Sequence, residues 1–521
     1  MRDSPEPNTG RVPGLLFVAA GGVFLCLVFL LLLAASMEKE LNHDEHMYVS
    51  AGVLLADKLQ VPYRDYPYLQ MPNLVFMYAG LFALLGWPGY FLLEARVFST
   101  VCATAGLGLV FLGVAGMLRV ISYGWRFLIA AGSVVAIMAN PIFRYTSGQA
   151  WNHDASVLLA LSAFVAVHKA ARRDWPVRWT LLAGVLLGLA VGTRLTFAFV
   201  VPVFLAAVYL YRSAAGVRAG WKERLRPLML FGDGLMLGLV PSLVAFLMAP
   251  GQFVFGNIEY HQVNAFFWER VGYDRAMDLA GKLDYVWAVV TQPANLVLVV
   301  GSLSFLAAGL LADRTGGSLY LFELLFGAAL LPALLLGALA ATPSWYQYFY
   351  MLVPFMVLVS AYSSALLMAR AKWSVALFGL MLMLAVGLGR PGYSLRVLSN
   401  VEEWVPVKVH DLGLDVSRHV ERDKVLTFAP VHALEGGADI YSLFAPGPFV
   451  WRSDSLLDLD DRYDLKVPSQ AEFMALLERE PPRAILTGFE GGLEASWIDF
   501  AQQHGYEMVS LADEKVLWLR R

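Results

Sequence analysis

Residues 14–36 read GLLFVAAGGVFLCLVFLLLLAAS and hold no charged side chain. A helix of that length reaches across the hydrocarbon core of a bilayer. Inside hydrocarbon a single segment can pair its own backbone polar groups only as a helix. Comparable apolar runs recur at 93–117, 127–144, 155–170, 179–193, 195–211, 228–249, 290–311, 319–341, 348–369 and 373–389. The chain is 58% hydrophobic and 16% charged, where a soluble protein carries roughly 25% charge. It therefore reads as a mostly α, polytopic membrane protein of about 11 spans. The first run follows Arg2 and Arg11 and ends in Ala34-Ala35-Ser36, as a cleaved leader would. It exceeds the apolar core of such leaders, about 7–15 residues, and reads as a retained span. With a net charge of −3, nothing suggests nucleic acid as a partner. Cys26 and Cys102 lie inside apolar runs and suggest neither a disulfide framework nor a metal site.

Segment 72–87, PNLVFMYAGLFALLGW, is short for a span and lies between Pro72 and Pro88. Charge decides its topology. If it does not cross, the basic clusters Arg119/Arg126, Lys169/Arg172/Arg173/Arg178, Arg212/Arg218/Lys222/Arg224/Arg226, Arg314 and Arg370/Lys372 all face the cytoplasm, as the positive-inside rule requires. If it crosses, all of them face outward. The expectation is a re-entrant or interfacial helix on the outer face of a cytoplasmic (inner) membrane. Residues 1–13 are then cytoplasmic, 14–390 form the membrane domain with outer loops 37–92 and 250–289, and 391–521 lie outside, facing the periplasm or exterior. That last part is polar and mixed. Short strands are expected in KVLTFAP (424–430), AILTGF (484–489) and EKVLWLRR (514–521), with amphipathic helices at 469–479 and 492–504. Together these make a small C-terminal α/β domain.

The tripeptide Asn-His-Asp occurs twice, at 42–44 just after the first span and at 152–154 just before the fourth. In the expected topology both fall on the outer face. Asp44, Glu45 and Tyr48 lie within one helical turn, and Asp44 and Tyr48 share a face. An acid flush against a span is costly in hydrocarbon and points to a polar cavity. Asp154, at a helix start, also suits simple capping and the helix dipole. His43, His46 and His153 could join the acids around a metal, but their spacing matches no zinc signature, so no cofactor is expected. Pro62, Tyr63, Tyr66, Pro67 and Tyr68 suit an interfacial aromatic loop. Arg194, in GLAVGTRLTFAFVVP between two tightly linked spans, either snorkels or neutralises an anionic headgroup.

This order of features resembles the GT-C superfamily of membrane glycosyltransferases, in particular the branch with protein O-mannosyltransferases and the lipid A aminoarabinose transferase. The likeness is carried by NHDEHMYVSAGVLLADKLQVPYRDYPY, QMPNLVFMYAGLFALLG, SGQAWNHDASVLLAL, LLAGVLLGLAVGTRLTFAFVVP and SWYQYFYMLVPFMVLVSAY, across residues 14–390. It implies a GT-C-like fold and a sugar donor carried on polyprenyl phosphate. It also implies catalytic acids at Asp44 and Asp154, with Glu45 beside them. The family branch has Lys-Pro-Pro where this chain reads Gln70-Met71-Pro72. The phosphate-binding role therefore falls to Arg194, Arg64 or Arg270, with His261, Tyr346 and Tyr348 as further donors. Asp44 would act as general base on the acceptor hydroxyl of a glycan, lipid or protein, with inversion at the anomeric carbon. Asp44 and Asp154 are expected to approach one cavity. A transporter or flippase would show repeated halves and mid-membrane polar sites, which the sequence lacks. A non-catalytic subunit of the same fold would carry the same outer acids.

Overall fold

The computed structural model describes residues 11–86, 89–214, 220–273, 277–312, 318–368, 371–390, 392–452, 465, 467 and 469–521. Pro88, Arg218, Arg314, Arg370 and Pro391 lie outside them. The chain is a multi-pass membrane protein. Among the described residues, seven helices are long and apolar enough to cross a bilayer. They belong to α1 (Arg11–Glu38), α4 (Phe91–Met117), α7 (His153–Ala171), α10 (Trp221–Met248), α14 (Pro293–Ala312), α15 (Ser318–Ala340) and α16 (Leu352–Met368). Shorter apolar helices α5 (Tyr123–Ala139), α8 (Val177–Thr193), the 195–211 segment ending in α9 (Val201–Ala214), and α17 (Ser374–Gly389) coincide with the remaining expected spans. Their shared core includes Phe111, Leu187, Phe204, Phe231, Val353 and Phe378.

Helices α8 and α10 approach most intimately, because neither presents side chains at the crossing. A Cβ built on Gly184, Gly188, Gly234 or Gly238 would collide with backbone oxygen of the facing helix. Lipid supplies no hydrophobic drive between spans, so close backbone contact through small residues four apart is what holds such a pair.

The loop between α1 and α4 is well ordered. Helix α2 (His43–Lys58) starts on a capping box: the Asn42 side chain accepts from Asp44 N, and Glu45 accepts from Asn42 N. It ends on Leu59 in a left-handed conformation (φ 55°). Helix α3 (Asn73–Leu85) has 13 residues, about 20 Å at the helical rise, too short for a bilayer of ~30 Å. It packs on α2, and Asn73 anchors it to the α8–α10 pair. Asn73 Nδ2 donates to Gly238 O at 3.2 Å, and Ser242 Oγ donates to Asn73 Oδ1 at 2.9 Å. The loop tyrosines do not form a headgroup-level belt. Tyr63, Tyr66 and Tyr68 are fully buried and make a core with α2, α3 and Phe253.

Between α5 and α7 lies the short α6 (Pro141–Thr146). The connection between α10 and α14 carries α11 (Pro250–Val254), α12 (Tyr260–Arg270) and α13 (Leu279–Val290). The C-terminal domain contains α18 (Val405–Val420), α19 (Pro430–Glu435), α20 (Phe449–Arg452), α21 (Gln470–Arg479) and α22 (Ala495–Gln503). Its mixed sheet consists of β1 (Lys424–Leu426), β2 (Asp439–Ile440), β3 (Ala484–Thr487), β4 (Glu507–Ser510) and β5 (Val516–Leu519). The order is β2-β1-β3-β5-β4, with β1 parallel to β2 and β3 and the β3–β5–β4 pairs antiparallel. The three expected strands are present; β2, β4 and α18 were not read from the sequence. The domain is clamped onto the first loop. Glu435 accepts from Leu92 N at 2.7 Å and from the His410 ring, His410 stacks on Tyr90 with centroids 4.0 Å apart, and Lys58 pairs with Asp439. Burial pushes the Glu435 carboxyl up to about 7.

The glycine contact gives the first prediction. Gly188→Leu should force α8 and α10 apart and cost about 1–3 kcal/mol or more. A lowered midpoint of thermal aggregation in detergent should follow, and an unchanged midpoint would contradict the close contact.

Candidate active site

The site is organised by a buried ion pair. Glu45 and Arg96 are both fully buried. Arg96 Nε and Nη2 donate to the two Glu45 carboxylate oxygens at 2.9 and 2.8 Å. The guanidinium also donates to the carbonyls of Ser36 and Lys39 at 2.8 Å and of Glu40 at 3.2 Å. Glu45 accepts from Ala150 N at 2.6 Å and from Asn42 N at 3.0 Å. One pair thus joins the end of α1, the start of α2, α4 and the 147–152 turn. Glu45, expected among the catalytic acids, has its oxygens committed to this joint.

The 147–154 turn carries the second tripeptide. Gly148 bends it with φ 86°. Asp154 Oδ2 accepts from Gly148 N at 2.7 Å and Oδ1 from the Tyr350 hydroxyl at 2.5 Å. Lys39 Nζ donates to the carbonyls of Ser147 at 2.5 Å and Tyr145 at 3.0 Å. Burial lowers this ammonium to about 7. Asn152 Oδ1 and His153 Nε2 both accept from Arg194 Nη1, at 3.1 and 2.5 Å. Arg194 Nε donates to Thr196 Oγ1 at 3.0 Å, and the guanidinium carbon lies 4.8 Å from the Tyr348 ring centroid. His153, accepting from a permanent cation, is held as the neutral ring.

Asp44 differs from the other two acids. No hydrogen bond reaches its carboxylate among the described residues. It faces a cavity of about 210 Å³, shared with His43, Tyr260, His261, Tyr348 and Arg452. Burial raises its pKa above the ordinary 3.8, against the attraction of His43, Arg452 and Arg194. The cavity therefore holds an uncommitted base with the Arg452 guanidinium in its lining, while the Arg194 charge acts on it from outside that lining. Arg452, on α20, is 9% exposed and donates to Glu490 at 3.0 Å. Its guanidinium carbon lies 5.3–5.6 Å from the centroids of Phe449, Phe267 and Trp268.

The other expected residues divide. His261 and Tyr348 line the cavity; burial depresses the His261 ring to about 4. Asp154 does not line it. It sits behind the turn and reaches Asp44 through Gly148, Ala150 and Glu45. Arg64 is at the surface, paired with Asp65 at 2.6 Å. Arg270 is exposed at the end of α12. Tyr346 spends its hydroxyl on Gln292 at 2.5 Å. These three stand outside the cavity lining, as does Arg194, which reaches it only through the Tyr348 ring. His43 sits edge-on to Phe449 and His46 beside His432. Among the described residues no group of three or more His, Cys, Asp or Glu could hold a metal ion.

Sequence reading missed Arg96 and Arg452. Arg96 left a signal: a cation inside the apolar run 93–117 needs a buried partner. Arg452 left none, because only the docking of the C-terminal domain brings it to the cavity.

The fold is a GT-C-like bundle of membrane helices with a small C-terminal α/β domain. No family model matches the chain, and no curated protein matches it by sequence. The chain superposes on ArnT from Cupriavidus metallidurans bound to undecaprenyl phosphate with a TM-score of 0.54 at 14% identity, covering 98% of both chains. It superposes on the archaeal oligosaccharyltransferase AglB from Archaeoglobus fulgidus, in complex with an inhibitory peptide and a dolichol-phosphate, with a TM-score of 0.51 at 12% identity. That match covers 96% of this chain and 74% of the other. Both are members of the GT-C superfamily, and the chain shares their fold.

The ion pair and the free acid should respond differently to substitution. Removing one partner of a buried pair costs about 3–5 kcal/mol, so Arg96→Ala and Glu45→Gln should lower thermal stability sharply. Asp44→Asn should melt as wild type does. A stable but inactive Glu45→Gln would move the catalytic role to Glu45.

Proposed function

We propose that the chain is a glycosyltransferase that moves a sugar from a polyprenyl-phosphate carrier to an acceptor hydroxyl at the outer membrane face. The observation that carries this reading is the uncommitted Asp44 carboxylate in a cavity between the span ends and the C-terminal domain. The structural neighbours that carry undecaprenyl phosphate and dolichol-phosphate support the donor class. The basic clusters between spans support an outward-facing cavity.

In this reading the acceptor enters from the aqueous side and places its hydroxyl against Asp44. The carboxylate takes the proton as the oxygen bonds to the anomeric carbon. The bond from that carbon to the phosphate oxygen breaks, and the leaving lipid monophosphate keeps the electron pair. One displacement inverts the anomeric centre. Charge grows on the phosphate as it leaves, and preorganised cations stabilise it there. This reading gives that place to Arg194, which Asn152 and His153 hold against the ring of Tyr348, a residue of the cavity lining. Arg452 faces it from the C-terminal domain, on the side the acceptor approaches. Asp154, Glu45 and Arg96 act through geometry. In this reading the side chains alone supply the base and the cations, so chelators should leave turnover unchanged, and a loss restored by a divalent metal would overturn it.

Mass spectrometry of envelope glycans and lipids from cells with and without the protein should reveal one missing sugar; identical profiles would remove the proposal. A general base contributes about 10²- to 10⁴-fold. Asp44→Asn should therefore lose turnover by that factor while still binding undecaprenyl phosphate. Its raised pKa sets the acid limb of kcat/KM. The base works above its pKa, so activity should fall with decreasing pH at a higher pH than an exposed aspartate would give. An acid limb at or below the ordinary 3.8 would contradict the assignment. Lysine keeps the charge of Arg194 but loses the planar fork, so Arg194→Lys should retain more donor binding than Arg194→Ala. Unchanged donor affinity in Arg194→Ala would make this residue an anchor only.

A further inference from the structure

A second cavity lies at the opposite end of the bundle from Asp44. It occupies about 630 Å³ between α4, α7, α15 and α16. Its walls are apolar: Leu112, Leu161, Phe164, Leu324, Phe355 and Leu358. Gly113, Gly116 and Gly327 supply no side chain to fill it. A Cβ on Gly116 would meet nothing within 4 Å. One end of this trough is charged. Arg119, Lys169 and Arg172 stand there with the buried Glu323.

The charges do not cancel. Glu323 is answered twice, by Arg172 at 3.1 Å and by the Tyr362 hydroxyl at 2.6 Å. Arg119 and Lys169 are exposed and form no ion pair among the described residues. Lys169 rests over the Trp179 ring, 4.8 Å from its centroid. An apolar trough among membrane spans, ending in two unpaired cations at the interface, is complementary to an amphiphile with a long chain and an anionic head. Cations close to an anionic leaflet gain from such heads.

We infer that this trough binds one anionic phospholipid of the leaflet on that side. One acyl chain lies between α4 and α15–α16, and the phosphate head sits against Arg119 and Lys169. The site is separate from the Asp44 cavity: the residues lining it come from the C-terminal ends of α4 and α7, whereas Arg96 and Asp154 lie near their N-terminal ends. It does not depend on the transferase reading.

The test is native mass spectrometry of the delipidated full chain titrated with phosphatidylglycerol, phosphatidylcholine or undecaprenyl phosphate. Wild type should hold one phosphatidylglycerol at least 10-fold more tightly than phosphatidylcholine. Gly116→Leu fills open space in the trough and should remove that tight adduct. The double variant Arg119→Gln/Lys169→Gln leaves the walls intact and should lose the preference for the anionic head at least 10-fold. This second variant decides the matter if the first fails to fold. Equal binding of the two phospholipids by wild type, a tight adduct that survives Gly116→Leu, or one-for-one displacement of phosphatidylglycerol by undecaprenyl phosphate would each overturn the inference.

Discussion

The buried pair between Glu45 and Arg96 is the constraint on which the Asp44 end of the molecule rests. Two charges taken out of water are stable only when every remaining donor and acceptor is met. Here the surplus guanidinium donors go to carbonyls at the end of α1, and the surplus carboxylate capacity goes to Asn42 N and Ala150 N. The pair therefore fixes four chain segments relative to one another. Asp44, one residue before Glu45 on the same helical turn, inherits its position from that joint without using its own oxygens. A carboxylate that takes a proton from a substrate must be both placed and unoccupied, and the neighbouring acid supplies the placement.

The repeated Asn-His-Asp shows how little a tripeptide fixes by itself. In the first copy Asn42 caps a helix, His43 meets the Phe449 ring, and Asp44 faces the cavity. In the second copy Asn152 and His153 hold Arg194, and Asp154 ties a turn to Tyr350. The two copies share an end of the bundle, and their six residues do different work. The proposed chemistry needs that division: one free acid, one fixed cation, and a rigid turn between them.

Much of the membrane architecture was legible in the sequence, because bilayer thickness imposes run length. The short α3 was recognisable for the same reason. Strands β1, β3 and β5 and the capped α21 followed from local pattern. That the tyrosines of the interfacial loop pack into a core was not legible, since aromatic residues look alike in sequence whether they meet lipid or one another. The committed oxygens of Glu45 and Asp154 were not legible either. Whether an acid is free depends on partners 51 and 196 residues away, Arg96 and Tyr350. Arg452 reaches the cavity through domain docking, which no local signal encodes.

The central claim is that a lipid phosphate sits beside Arg194 with its head directed into the Asp44 cavity. A cryo-electron microscopy map of the full chain in nanodiscs with undecaprenyl phosphate tests it directly. The account predicts phosphate density within hydrogen-bond reach of the Arg194 guanidinium, with the prenyl chain running into the bilayer between spans. Density for that phosphate only at the opposite end of the bundle, beside Arg119 and Lys169, with nothing bound in the Asp44 cavity, would contradict it.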